Sequence, residues 1–202
     1  ALAWTAAECL HRGKPTVLGA ASGAVAGLVA ITPAAGFVSP MSAVLIGLFA
    51  GPICYGACNL KTILGIYDDA LDVVGVHCVG GMFGAIATGL FASSAINPAV
   101  ADGMGGLFIT GDVGLLAAQI KAVLCTLVLG GVGSVVCLAI AGLLTGGVRA
   151  DEDAEFVGLD LSQHSETAYL LGASGGGFGM SHQSHATTDP ITRPPPRPAL
   201  QA

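Results

Sequence analysis

Charge is what this sequence has least of. Asp, Glu, Lys and Arg together make up 10% of its 202 residues, against about 25% in a soluble globular domain. So few ions cannot coat a water-soluble protein of this size, which excludes a soluble enzyme core. Basic residues are scarcer than acidic ones, seven against thirteen, for a net charge of -6. No basic stripe is present to hold a nucleic acid. Aromatic residues supply only 5%, with Trp4 the single tryptophan. The six cysteines (Cys9, Cys54, Cys58, Cys78, Cys125, Cys137) include no C-x-x-C pair. They read as small buried hydrophobes, with no disulfide framework, metal or cofactor expected. There is no initiating Met and no signal-peptide pattern. A chain that opens inside apolar sequence is expected to be the C-terminal portion of a longer protein.

What remains is apolar and rich in glycine. Hydrophobic residues make up 53%, and 31 positions are Gly without a Gly-X-Y period. Glycines set within apolar runs point to an all-α polytopic membrane protein whose helix backbones approach closely. Pro15 to Leu60 is a run of 46 residues without a charge. One crossing takes about 20 residues, so the run holds two, broken where Pro33, Gly36 and Pro40 disfavour helix. Residues 1–149 are therefore expected to form a membrane domain. It begins with the end of a helix, where Trp4 suits an interface, and continues with spans at about 16–37, 41–60, 73–95 and 113–148.

Arg12, Lys14, Lys61 and Arg149 then share one side, which the positive-inside rule makes cytoplasmic. Residues 150–171 are expected to be a cytoplasmic regulatory tail, and 172–202, with its Gly and Pro runs, a disordered extension. Gly19, Gly23 and Gly27 recur every fourth residue, as do Gly80/Gly84 and Gly142/Gly146. Such faces suit either a subunit interface or, preferably, packing within one bundle.

The chemistry concentrates in Asp68-Asp69-Ala70-Leu71-Asp72-Val73-Val74-Gly75-Val76-His77. An ionisable residue within a span is costly and marks a functional site by default. A neutral imidazole can donate with one nitrogen and accept with the other, guiding a small solute or relaying a proton. The alternative is a histidine satisfied by a nearby backbone carbonyl. Asp72 fits either electrostatic support of a cation pathway or a cap on the following helix, and for Asp68 and Asp69 the plain cap is the preferred reading.

Several separated motifs together resemble the ammonium transporter family, in its Amt branch. They are Gly13-Lys14-Pro15-Thr16, Leu18-Gly19, Ser22-Gly23, the run Ala26–Phe37, the D-D-x-x-D-x-x-G-V-H stretch, and Gly158-Leu159-Asp160 with His164, Glu166, Ala168 and Tyr169. The resemblance runs in order from about Trp4 to Tyr169. Rhesus-type channels share the span-three histidine but are less similar in the proline loop and the aspartate pattern.

The resemblance implies the C-terminal part of an eleven-helix, pseudo-symmetric, trimeric transporter. In such proteins ammonium is deprotonated at an outer vestibule, and ammonia crosses an apolar pore lined by two histidines. His77 matches the second of these, Val73 a lower pore residue, and Asp69 and Asp72 acidic residues near the cytoplasmic end. Gly158, Asp160, His164, Glu166 and Tyr169 match a tail element beneath the pore, with Ser165 where the family has glycine. The first pore histidine and the outer recruitment residues would lie in helices this sequence lacks. The implied partners are ammonium or ammonia, the lipid bilayer, two further subunits of a homotrimer, and a PII-type signal protein on the cytoplasmic face. Two alternatives remain at this stage, an ammonium sensor of the same family and an inactive truncated subunit.

Overall fold

The computed structural model describes residues 1–65, 69–100 and 104–165. Among these residues the chain is helical, without strands. Helix α1 covers Leu2–Arg12 and ends at Gly13 in the left-handed conformation. Helix α2 covers Val17–Ile31 and passes into a 3-10 turn at Thr32–Ala34. Pro33 sits in that first turn, where its missing N–H costs nothing. Ser39 then caps α3, Pro40–Leu64, by accepting from the Ser42 amide at 3.2 Å. A π-helical segment at Val74–Cys78 leads into α4, Val79–Phe91. The third apolar stretch stops at Phe91 rather than continuing to Ala95, because Ala92 turns to extended backbone. The short α5, Leu107–Thr110, precedes α6, Gly114–Thr145. Among the described residues, four helical stretches are long and apolar enough to cross a membrane: Val17–Ala34, Pro40–Lys61, Val74–Phe91 and Gly114–Thr145. With 32 residues, α6 is about 48 Å long at 1.5 Å per residue.

The core is built from small residues. Among the described residues, the largest side chains with essentially no exposure are Ile46 and Cys54. Helix α2 buries Gly19, Gly23, Ala26 and Ala30, one helical face. A Cβ on Gly23 would strike Trp4, and one on Gly84 would strike the Ala30 carbonyl. These glycines let α1, α2 and α4 meet backbone to backbone, as the spacing suggested. Gly27 of the same row meets nothing within 4 Å, and Gly146 ends α6 with φ 77°. Trp4 is not an interface residue within this chain. It is 4% exposed and lies edge-on to Tyr55, with centroids 5.5 Å apart.

The two ends of this bundle are fastened differently. At one end, side chains do the work. The Glu8 carboxylate, 3% exposed, accepts from the Thr16 amide at 3.1 Å and the Thr16 hydroxyl at 2.9 Å. The Thr16 hydroxyl in turn accepts from the Gly19 amide and caps α2. His11 Nδ1 pairs with the Tyr55 hydroxyl at 2.8 Å, and Arg12 reaches Asn59. The other end is closed by backbone, with the Ser93 amide donating to Phe37 O at 2.9 Å and the Gly106 amide to Ala92 O at 2.7 Å.

From Gly147 onward the chain forms a second unit. It holds α7, Glu152–Val157, and α8, Leu159–His164. The acidic first turn of α7 suits the positive end of its dipole. Arg149 grips Glu155 with two hydrogen bonds of 2.9 Å.

Candidate functional site

His77 is the fourth residue of the π-helical segment Val74–Cys78. There the Val79 amide donates to Val74 O, five residues back. Single π turns are rare and concentrate at functional sites. This one is held from below and from the side. From below, the Asp69 carboxylate accepts from the Val73 amide at 2.7 Å and the Val74 amide at 2.8 Å. It thereby satisfies two of the orphan donors at the start of the helix. Asp69 is 8% exposed, which makes this buried pairing the local anchor. From the side, Gly75 lies directly against Cys58 of α3, where a Cβ would meet the Cys58 sulfur, amide and Cα. Gly80, further along, faces Cys54.

The cap is therefore Asp69 and not Asp72. Asp72 adopts φ 55°, an uncommon conformation for a residue other than glycine. Its carboxylate turns to Lys61, whose ammonium reaches it at 2.5 Å. The same ammonium donates to the backbone carbonyl of Asp69 at 2.5 Å. A negative charge offered to a passing cation is thus already neutralised by Lys61.

Above this base, His77 makes no hydrogen bond among the described residues. Its ring is not satisfied by a backbone carbonyl. It lines a cleft of about 300 Å3 between α4 and α6, beside Cys78, Met82, Ala122, Thr126 and Leu127. Val73, one helical turn below, is half exposed, while Val76 is buried at 5%. A second cavity, of about 250 Å3, lies at the charged end among Glu8, Arg12, Asn59, Lys61 and Asp72. The structure thus groups Asp69, Asp72, Val73 and His77 along one turn and helix.

Two contributors went unnoticed in the sequence. Lys61 stands as the lone charge at the end of α3, a signal that could have found it. Glu8, a carboxylate within an apolar run, carried the same signal.

In the second unit, Gly158 joins α7 to α8 with φ 102°, and a Cβ there would meet the Asp160 carboxylate at 2.6 Å. Ser165 ends α8 at φ 54°, a left-handed position that favours the family's glycine. His164 is the last residue of α8 and is exposed. Glu166 and Tyr169 lie outside the described residues, as does Asp68. The Arg149 hydrogen bonds hold the Glu155 carboxyl below the ordinary range and raise the guanidinium further.

Among the described cysteines, Cys54 and Cys58 are buried as expected, whereas Cys125 and Cys137 are exposed on α6. The difference follows from α6 itself, which has no buried residue.

Comparison with known proteins bears on the family and the fold. A sequence profile described as the Ammonium Transporter Family matches residues 1–169. The ammonium transporter of Bacillus subtilis is 47% identical over 167 residues, covering 82% of this chain and 40% of that protein. Amt1 of Archaeoglobus fulgidus is 43% identical over 158 residues, covering 78% and 38%. Among solved structures, Saccharomyces cerevisiae Mep2 superposes with a TM-score of 0.67 at 34% identity, covering 75% of this chain and 34% of that one. The chain spans about two fifths of the length of the curated relatives it matches. With a matched profile over residues 1–169 and a shared helical fold, the chain belongs to the ammonium transporter family.

Proposed function

We propose that residues 1–149 contribute one wall of a path for ammonium and ammonia across the membrane, with His77 on the conducting surface. The observation that carries this reading is the His77 ring, unpaired on the wall of an apolar cleft and fixed by an anchored π turn. A bare ammonium ion in such surroundings would bear a large desolvation cost. Ammonia is neutral, and an imidazole nitrogen replaces part of its lost hydration. Val73 lies toward the base of the same path, where its half-exposed side chain narrows it without offering a hydrogen bond. Asp69 acts by holding the helix start, and Asp72 acts through Lys61 rather than as a free anion.

The same reading carries the family's homotrimer. It also places residues 150–171 on the cytoplasmic side, supported by Arg12 and Lys61 at one end of the bundle. There Gly158, Asp160, His164, Glu166 and Tyr169 would meet the underside of the transporter or a PII-type signal protein. Truncation after Phe156 is then expected to lower uptake far more than assembly.

The deciding experiment is ammonium uptake by the longest natural chain containing these residues, in cells without other transporters. His77→Ala should assemble normally and lose about tenfold in uptake, the equivalent of one hydrogen bond of about 1.4 kcal/mol. Unchanged uptake and selectivity would return His77 to a packing role.

A further inference from the structure

One cation organises the turn beneath His77. The ammonium of Lys61 touches two groups of that turn, the Asp69 carbonyl and the Asp72 carboxylate, both at 2.5 Å. Between those two contacts the chain makes a tight reversal, with the Asp72 amide donating to Asp69 O at 3.2 Å. The reversal requires Asp72 to hold φ 55°, a conformation that carries strain for an L residue with a side chain. It also aims the Asp69 carboxylate upward at the Val73 and Val74 amides. The Asp72 carbonyl accepts from the Val76 amide at 2.8 Å, so the same residue starts the hydrogen-bond ladder of the His77 helix.

Lys61 is about one quarter exposed at its side chain, and Asp72 about one third. A surface ion pair of that kind adds little to stability by itself. Its geometry serves a different end. A strained left-handed residue persists only where its surroundings hold it, and beside the backbone bonds of Asp72 to Asp69 and Val76, Lys61 supplies two side-chain contacts that brace the turn. Released, Asp72 would relax toward ordinary backbone, the Asp69 cap would swing off the two amides, and the π turn would lose its fixed phase. A change of one residue in helical phase moves a side chain about 100° around the axis.

We infer that Lys61 is a positioning residue for His77, acting through the Asp69–Asp72 turn and not through contact with the transported species. This inference rests on the reading of His77 as part of the path, and its test keeps the two separable. Lys61→Met, Lys61→Gln and Lys61→Arg are made in the longest natural chain, and uptake is normalised to folded protein in the membrane. In parallel, the rate at which N-ethylmaleimide modifies Cys78 is followed by mass spectrometry of its peptide. Cys78 adjoins His77 and lines the same cleft, so its rate reports the phase of the helix without any transport.

Lys61→Met should accumulate as folded protein and shift the Cys78 rate severalfold. Its uptake should fall by about tenfold or more, since a misplacement of ~1 Å at a working group can cost about a hundredfold. Lys61→Arg, which keeps donors for both acceptors, should restore both readings. If Lys61→Met does not accumulate, Lys61→Gln carries the same comparison with one donor group retained. A Cys78 shift reversed by Arg, in a chain with no ammonium uptake, would uphold the positioning role and refute the transport reading. Parent-like values in both assays would overturn the proposal. So would an uptake loss with an unmoved Cys78 rate, which would assign Lys61 to charge alone. A Cys78 shift that Arg does not reverse would make Lys61 a requirement of the fold and equally overturn it.

Discussion

Helices α4 and α6 are alike in composition and opposite in packing. Both are apolar and glycine-rich, and both are long enough, with the π segment counted into α4, to cross a membrane. In α4 all its glycines but Gly81 are contact points, Gly80 on Cys54, Gly84 on the Ala30 carbonyl and Gly89 on the Leu116 backbone, and the helix buries Gly80, Gly84, Ala87, Thr88 and Gly89. In α6, Gly130, Gly131 and Gly133 meet nothing within 4 Å, and no residue is buried. A glycine row therefore permits close approach without causing it. What decides is whether the facing helix brings its own small residue or backbone to the same height.

The sharpest way to break this contrast is a pair of substitutions. Gly84→Ala drives a methyl into the Ala30 carbonyl and should destabilise the membrane unit by about 1–3 kcal/mol, as overpacked cores do. Gly131→Ala meets nothing and should leave stability unchanged or raise it by up to about 1 kcal/mol, the helix-propensity gain of Ala over Gly. Thermal or denaturant unfolding in matched detergent measures both. If the α6 substitution proved the more damaging, that helix would be covered by chain beyond these residues.

Asp69→Ala comes next. It leaves two amides at the start of the His77 helix without their acceptor, and loss of such a cap costs about 0.5–2 kcal/mol. Asp72→Asn, which tolerates a left-handed backbone and keeps an acceptor for Lys61, should cost less than half as much. Equal losses would mean that the Lys61–Asp72 pair carries the helix start and the Asp69 cap does not.

A smaller effect is expected at the end of α8. Ser165→Gly relieves a left-handed side chain and should stabilise that turn by up to about 1 kcal/mol. Slower amide exchange over residues 159–164 would register it, and unchanged exchange would show that the serine finds compensation.

The smallest is the pH response of α7. Because the Arg149 hydrogen bonds lower the Glu155 carboxyl, their contribution is fully present above the ordinary glutamate range of about 4.3. It is lost as pH falls through the lowered folded value. Protection factors for residues 152–157 should hold from neutral pH down to that range and then decline, with the step weakened by salt. A decline that begins near neutrality would point to a different group instead.

How far the sequence could be read depended on the kind of signal. Span number and rough position were legible, because 46 uncharged residues interrupted by Pro33, Gly36 and Pro40 admit two helices and a break. His77 was legible because an ionisable group in an apolar run has a cost that demands a purpose. The cap was half legible, a plain capping role being the preferred reading for Asp69 and one of two for Asp72. Asp72 stands immediately before the helix, where a capping residue belongs, yet Asp69 reaches up from three residues earlier. Local spacing could not reveal this, because Asp72 is drawn off by Lys61, eleven positions upstream. Trp4 was misread for a related reason. An indole beside charged residues suits an interface, but here Gly23 makes room for the Trp4 side chain and Gly51 for its backbone, and the residue is 4% exposed.

The sequence by itself determined that this chain is helical and built to cross a membrane, since hydropathy and charge act through each residue's own transfer from water. It also determined that an imidazole, His77, would fall within an apolar run. Only the tertiary structure decided which glycines touch, which aspartate caps and which is paired, and that His77, among the described residues, is left without a hydrogen-bond partner in an apolar cleft. Those outcomes depend on atoms far apart in sequence arriving within a few ångströms of one another. A hydrogen bond or a close helix contact exists only at that range, so no property of a single residue or its near neighbours encodes it.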